Sequence, residues 1–315
     1  MERCRPITRR ESIKRLLELC GSLALGSFLT VPVQKPLSAW AGVKKTGFIV
    51  EGMGVNETYT ERELVRNVFD AAGGMSQFVS KGDVVVIKPN ISWAKPPHLA
   101  ATTNPEVLQA VIELCQEAGA GKVRIADNTI EDAGFCFKVT GAEAVAKKTG
   151  AELIYPTSSL MRNMNLHGHR LGVWPVFVPL VEADKVINLP VAKHHILSSL
   201  TLGMKGWIGA VGGRRGSLHL YIHENIVDLA QFFKPTITLI DATKIMIRNG
   251  PFGGSTSDVA DKNTLILSDD PVAADAKASL LFGKRPQDIG FIRVAQKWGL
   301  GTYDFKKLVQ KEVKL

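Results

Sequence analysis

Charged and amide side chains follow the apolar runs of this chain with unusual regularity. Val84 to Ile87 is followed by Lys88-Pro89-Asn90, and Val123 to Ala126 by Asp127-Asn128. Val186-Ile187 is followed by Asn188 and then Lys193-His194-His195, and Ile237 to Ile240 by Asp241. Leu265 to Leu267 is followed by Ser268-Asp269-Asp270. Lysines in such places suit an anion, while carboxylates and imidazoles suit proton transfer or a divalent metal. The same residue types also build turns and caps. Asp270 before Pro271 reads first as a helix N-cap, and Asp127 and Asp241 fit either role. Lys88 is different. It follows four β-branched residues and precedes a proline, so its ammonium is expected to be semi-buried, and a buried ammonium needs a partner.

His219 and His223 are four residues apart, with Glu224 adjacent. On a helix that spacing puts both imidazoles on one face, which suits a divalent transition metal. A surface pair near a helix start is the other reading. His194 and His195 are neighbours, so a regular strand turns only one of them toward a given site. Residues 200–216 carry six glycines together with Lys205, Arg214 and Arg215. Glycine lets the backbone approach an anion and the cations add charge. The spacing is neither a P-loop nor a dinucleotide fingerprint.

The elements that must hold these residues alternate. Residues 47–50, 84–87, 122–126, 185–187, 236–240 and 264–267 read as strands, several of them apolar throughout, as strands buried on both faces are. Residues 61–72 and 142–148 have helical apolar periodicity. Asn104-Pro105-Glu106 is an N-cap, a first-turn proline and an acid near the positive helix end. Further helices are expected at 225–233 and after Asp270. This alternation predicts an α/β fold with a mostly parallel sheet flanked by helices on both faces. A short antiparallel excursion is expected near residues 157–182. The expected organisation is a signal over residues 1–41 and a single α/β domain over 42–315.

The first 41 residues read as an export signal. Thr8-Arg9-Arg10-Glu11-Ser12-Ile13-Lys14 resembles the twin-arginine motif, a mildly apolar run follows, and Ala39-Trp40-Ala41 fits a small-x-small cleavage site. The expected location is therefore the periplasmic or extracellular side of the cytoplasmic membrane, with the twin-arginine export machinery as a partner. The full chain has a formal net charge of +9. The signal holds seven basic and three acidic residues, which leaves 32 basic against 27 acidic beyond it. That modest surplus, with 7% aromatics, argues against nucleic acid as a partner. Only Cys115 and Cys136 lie beyond the signal, too few to hold an iron–sulfur cluster alone. They fit either a disulfide or two small buried side chains.

Several blocks together resemble the uncharacterised "domain of unknown function 362" family. They are Val86-Ile87-Lys88-Pro89-Asn90, Thr103-Asn104-Pro105-Glu106-Val107 and Val186-Ile187-Asn188-Leu189-Pro190 with Lys193 and His195. Thr201-Leu202-Gly203-Met204-Lys205-Gly206, His219 with His223-Glu224, Asn249-Gly250-Pro251 and Asp270-Pro271-Val272-Ala273-Ala274-Asp275 continue the series. The resemblance implies relatives rather than a reaction. Some relatives carry a cysteine-rich ferredoxin-like segment, which this sequence lacks.

Two functions are expected from these residues. One is a metal-assisted enzyme for a small anionic substrate outside the cytoplasm. Lys88, Lys193, Glu224 and Asp241 are its catalytic candidates. Asn90, Asn188, Lys205, Arg214 and Asn249 are candidates for ligand binding, and His195, His219 and His223 for the metal. The other is a non-catalytic exported protein that carries a metal, iron–sulfur or anionic cofactor to a redox partner protein.

Overall fold

Runs of Val and Ile with no polar interruption form the middle of a ten-stranded sheet in the computed structural model, which describes residues 47–56 and 58–315. The signal read at residues 1–41 lies outside the described residues. The strands in chain order are β1 (Phe48–Met53), β2 (Val84–Pro89), β3 (Lys122–Ala126), β4 (Glu152–Ile154), β5 (Met161–Asn165) and β6 (Val173–Phe177). They continue as β7 (Lys185–Leu189), β8 (Val191–His195), β9 (Ser199–Thr201), β10 (Ile237–Met246), β11 (Val259–Ser268) and β12 (Val309–Lys314). The sheet order is β12-β1-β11-β10-β7-β2-β3-β4, with β8 beside β10 and β9 beside β8. The run β10-β7-β2-β3-β4 is parallel throughout. Only β11 and β9 run against their neighbours.

Side chains alternate across the sheet with the two-residue period of a strand. Val85, Ile87, Val123 and Ile125 pack on α1 (Glu61–Ala71), α2 (Pro105–Glu117), α3 (Ala133–Val139) and α4 (Ala142–Thr149). Val86, Val186, Ile240 and Ile266 face α5 (Pro179–Glu182), α6 (Gly203–Gly206), α7 (Ile222–Phe233), α8 (Pro271–Leu280) and α9 (Gly290–Lys297). Both faces are therefore covered, as the expected α/β architecture requires. The helix starts follow the local sequence. Thr60 and Glu63 form a capping box on α1, and Asn104 accepts from Glu106 N–H ahead of Pro105. Asp270 accepts from Val272 and Ala273 N–H, so it is an N-cap. Cys115 and Cys136 are both free and buried on the α1–α4 face.

Two expectations change. The strand expected to end at Ile240 continues to Met246, because Ala242 to Met246 keep pairing with β11 across an irregularity near Thr243. Asp241 is thus inside β10. His219 belongs to a 3₁₀ turn, Arg215–His219, and His223 to α7, so no one helix carries both.

The antiparallel excursion is the β5–β6 hairpin. It braces the glycine-rich segment: Gly212 N–H donates to Pro175 O at 2.8 Å and Trp174 Nε1 donates to Gly212 O at 3.0 Å. Its turn is held by Asp228 of α7. The buried carboxylate accepts from the backbone N–H groups of His169, Arg170 and Leu171 at 2.8, 2.8 and 2.9 Å. Among the described residues no helix is long and apolar enough to cross a membrane. Asp228→Ala removes three backbone hydrogen bonds, one of them from the buried Leu171. It is expected to cost about 2–3 kcal/mol, since an orphaned buried donor costs about 1–3 and an exposed bond less, and urea unfolding measures it.

Candidate functional site

The Lys88 ammonium, on the α5–α9 face of β2, finds its partner in Asp127 just beyond β3. Nζ to Oδ1 is 2.7 Å, and the two side chains are 2% and 0% exposed. Lys88 also donates to Pro89 O at 2.9 Å, while Asp127 Oδ2 accepts from Ile91 N–H at 2.7 Å. The carboxylate therefore ties the ends of β2 and β3 together. Gly209 closes the pair from above. A Cβ there would lie 2.2 Å from Asp127 Oδ1 and 3.0 Å from Lys88 Nζ.

Two more lysines are buried beside this pair. Lys193 of β8 donates to Ala101 O at 2.5 Å and to Asn90 Oδ1 at 3.3 Å. Lys205 of α6 has no hydrogen bond to its ammonium among the described residues, and its backbone is set by Asp275. The Asp275 carboxylate, in α8, accepts from Gly203 and Met204 N–H at 2.7 and 2.9 Å. Burial pushes Asp275 up to about 7, and those two donors oppose the rise. Burial pulls Lys193 and Lys205 down to about 7, helped at Lys193 by the charges of Lys205 and Lys88. Asp127 opposes the shift at Lys193. The Arg215 guanidinium donates to Asn128 O and Thr129 O and lies close enough to Asp127 to feel its charge. Lys88, Lys193 and Arg215 thus share the charge of Asp127.

Polar atoms without partners complete the lining. Thr102 Oγ1, Thr201 Oγ1 and Asn188 Oδ1 are buried with no hydrogen-bond partner. Thr102 follows the carbonyl that holds Lys193, and Thr201 lies directly opposite Lys193 in the β8–β9 register. Asn188 lies beside Lys88 in the β2–β7 register and donates to Gly203 O at 2.9 Å. Buried polar atoms left in this way are satisfied by a bound molecule or by water.

Two imidazoles stand over the lysines. The rings of His195 and His219 stack with centroids 5.8 Å apart. His195 Nδ1 accepts from Leu197 and Ser198 N–H, so the proton of the neutral ring sits on Nε2. Burial, with Lys205 and His219, pushes His195 down to about 3, which keeps it neutral at ordinary pH. His219 Nδ1 faces Gly216 O at 3.2 Å, so it carries the proton and leaves Nε2 as an acceptor. Burial, then Lys205, lowers His219 as well. One ring donates and the other accepts.

The structure thus brings together Lys88, Lys193, Lys205, Asn90, Asn188, His195 and His219. It places the other candidates elsewhere. His223 packs its ring against Gly290 at the start of α9, and Glu224 acts electrostatically on His223. Asp241 is buried, which raises its pKa, and it accepts from Asn104 N–H and from Thr243. Its role is to hold the start of α2 on β10. Arg214 is exposed, and its neighbour Arg215 turns inward instead. Asn249 is exposed and donates to Asp258 at 3.0 Å. The three histidines expected around a metal are therefore not gathered. Among the described residues no group of three or more His, Cys, Asp or Glu could hold a metal ion. Burial raises both cysteine thiols, Cys136 to about 11. The sequence pointed to a partner for Lys88 but not to which of several aspartates, and gave no signal for the roles of Arg215 and Asp275.

The whole arrangement falls within residues 85–279, which match the model of the family described as a domain of unknown function (DUF362). The chain belongs to that family. A thylakoid-associated protein of Synechocystis sp. is 26% identical over 252 residues, which span 75% of this chain and 74% of that protein. Among solved structures, the lactate racemase apoprotein of Thermoanaerobacterium thermosaccharolyticum is similar at 14% identity with a TM-score of 0.46. That match covers 75% of this chain and 56% of the racemase. A Thermotoga maritima protein is similar at 12% identity and a TM-score of 0.42, over 73% of this chain and 60% of that one. The chain thus spans less than two thirds of either solved structure.

Gly209→Ala is expected to force Lys88 and Asp127 apart. Breaking a buried ion pair costs about 3–5 kcal/mol, readable by denaturant unfolding. Gly216→Ala, where a Cβ would meet nothing within 4 Å, is the control and is expected to be neutral.

Proposed function

We propose that the protein binds a small anionic molecule on Lys88, Lys193 and Lys205 and moves a proton on it. His219 Nε2 is the base, which takes the proton and returns it, and His195 Nε2–H is a hydrogen-bond donor to the anion. The observation that carries this reading is that of three buried lysines only Lys88 is ion-paired, to Asp127, while Lys205 lacks a hydrogen-bonded partner and the nearby Asp275 carboxylate is engaged by the Gly203 and Met204 N–H groups. Burying unpaired ammonium groups is costly unless a negative charge arrives to meet them. Thr102 and Thr201 hydroxyls add neutral donors at the same place.

Metal assistance has less support. A metal-ligating histidine usually donates its other ring nitrogen to an acceptor, whereas His195 Nδ1 accepts. His219 Nε2 is free for a proton or a metal ion, and the proposal assigns it the proton. Anion binding is accordingly expected to survive prolonged dialysis against EDTA, with calorimetry as the readout.

The second reading is a non-catalytic carrier that delivers the anion, or a cofactor containing it, to a redox partner. The near-complete enclosure of Lys88 and Lys193 favours slow release and supports it. Stoichiometric binding without turnover across a panel of carboxylates and phosphates would select it. In both readings the twin-arginine segment sends the folded protein out of the cytoplasm. The name of the thylakoid-associated relative is in keeping with work at a membrane face. Nucleic acid is not a partner in either.

The pH dependence has a definite sign. Lys193 and Lys205 titrate near 7 when folded and near 10.4 when unfolded. Between these values the unfolded chain holds more protons, so the free protein gains stability as pH rises. A bound anion needs the protonated lysines, so its affinity falls over the same rise. Thermal shifts with inorganic phosphate are therefore expected to be larger at pH 6 than at pH 8.5. Lys205→Met is expected to weaken phosphate roughly tenfold or more, the loss of one charged hydrogen bond. Unchanged affinity in both Lys205→Met and Lys193→Met would sink the proposal.

A further inference from the structure

The outer edge of the cation cluster is apolar where a loop is normally polar. The turn between β8 and β9 is Ile196-Leu197-Ser198, with Ile196 77% and Leu197 56% exposed. It directly follows His195. On the other side of the stacked imidazoles, His219 is directly followed by Leu220 and Tyr221, 78% and 53% exposed. A third piece is Phe252, whose ring lies 5.4 Å from that of Trp93, in the segment just beyond Asn90. The Phe252 loop is pinned to the same strand, since Gly250 N–H donates to His194 Nδ1 at 3.2 Å.

Single exposed apolar residues need no explanation. Two consecutive pairs that each follow one of two stacked histidines are a different matter. Turns favour Gly, Asn, Asp and Ser for sound backbone reasons, yet Ile196-Leu197 and Leu220-Tyr221 put apolar side chains in water at such places. The Arg170 guanidinium sits 3.5 Å over the Tyr221 ring and holds it in place. The His195–His219 stack brings the two apolar pairs to the same edge of the lysine cluster, and apolar groups beside ammonium groups are complementary to a molecule of matching polarity.

Resting on the anion-site reading above, we infer that the ligand is an amphiphilic anion: a carboxylate or phosphate head on a hydrocarbon tail. The head meets Lys193 and Lys205. The tail lies across Ile196, Leu197, Leu220 and Tyr221. A short polar acid would leave this rim in water and gain nothing from it.

The test titrates two homologous series into the full chain: methyl, butyl and hexyl phosphate, and acetate, butyrate and hexanoate, all below their aggregation concentrations. Each methylene fully buried on the rim should tighten binding about fourfold, so with two or more of them buried the longest member is expected to exceed the shortest by roughly tenfold or more in at least one series. The double variant Ile196→Ser, Leu220→Ser should lose most of that gain while binding the shortest member as before. Equal affinities along both series would overturn the inference and leave the anion site standing. No binding by any member would overturn the anion site itself. Chain-length dependence that persists undiminished in the double variant would place the tail elsewhere and overturn the inference. Vesicles of anionic phospholipid separate a single-ligand site from a membrane contact. Vesicle binding unchanged in Lys205→Met, without chain-length dependence in solution, would assign the rim to a membrane surface and reject the tail.

Discussion

The ion pair between Lys88 and Asp127 is the constraint on which the site depends. An ammonium and a carboxylate excluded from water hold each other only while geometry and remaining hydrogen bonds stay intact. Here those bonds come from Pro89 O and Ile91 N–H, so the pair fixes the path of the chain as it leaves β2. That path positions Asn90, which accepts from Lys193. The loop after β3 then carries the Asn128 and Thr129 carbonyls that receive Arg215. One buried pair thereby arranges three further basic or amide groups without touching them all.

Positive charge gathered in this way would repel itself in an empty site. The fold tolerates it by burial that depresses Lys193 and Lys205 and by distributing the supports of all three lysines over different elements. Lys88 rests on β2, Lys193 on β8, which Pro190 separates from β7, and Lys205 on a single turn anchored from α8. No one element can relax to separate them. The His195–His219 stack follows the same logic, because its two tautomers are set by backbone groups rather than by each other.

Much of this was legible in the sequence and some was not. Apolar runs such as Val84 to Ile87 announce doubly covered parallel strands, because no other environment accepts four consecutive β-branched residues without a polar face. Lys88 could be read as functional from that same context. Asp241 could not be placed, since whether β10 stops or continues is decided by pairing with β11, 20 or so residues away in sequence and invisible to local pattern. His219 and His223 mislead for a related reason. Four-residue spacing describes a face only within one helix, and the backbone at Tyr221, with φ −130° and ψ 56°, separates the two. Arg214 and Arg215 are indistinguishable as letters, and only the course of a glycine-rich segment selects the second. Beyond Gly283 the sequence offered little, although α9 and β12 complete the sheet and its cover.

Asp275 holds the turn that carries Lys205, 72 and 71 residues after the two amides it accepts from. A chain still emerging from the ribosome has every cation of the site well before it has this carboxylate. Until α8 is made and packs, the turn that carries Lys205 therefore lacks the carboxylate that holds its backbone. The three buried lysines are held in their final places only in a nearly finished molecule. Whatever the site does is then left to a folded protein and not to a growing one.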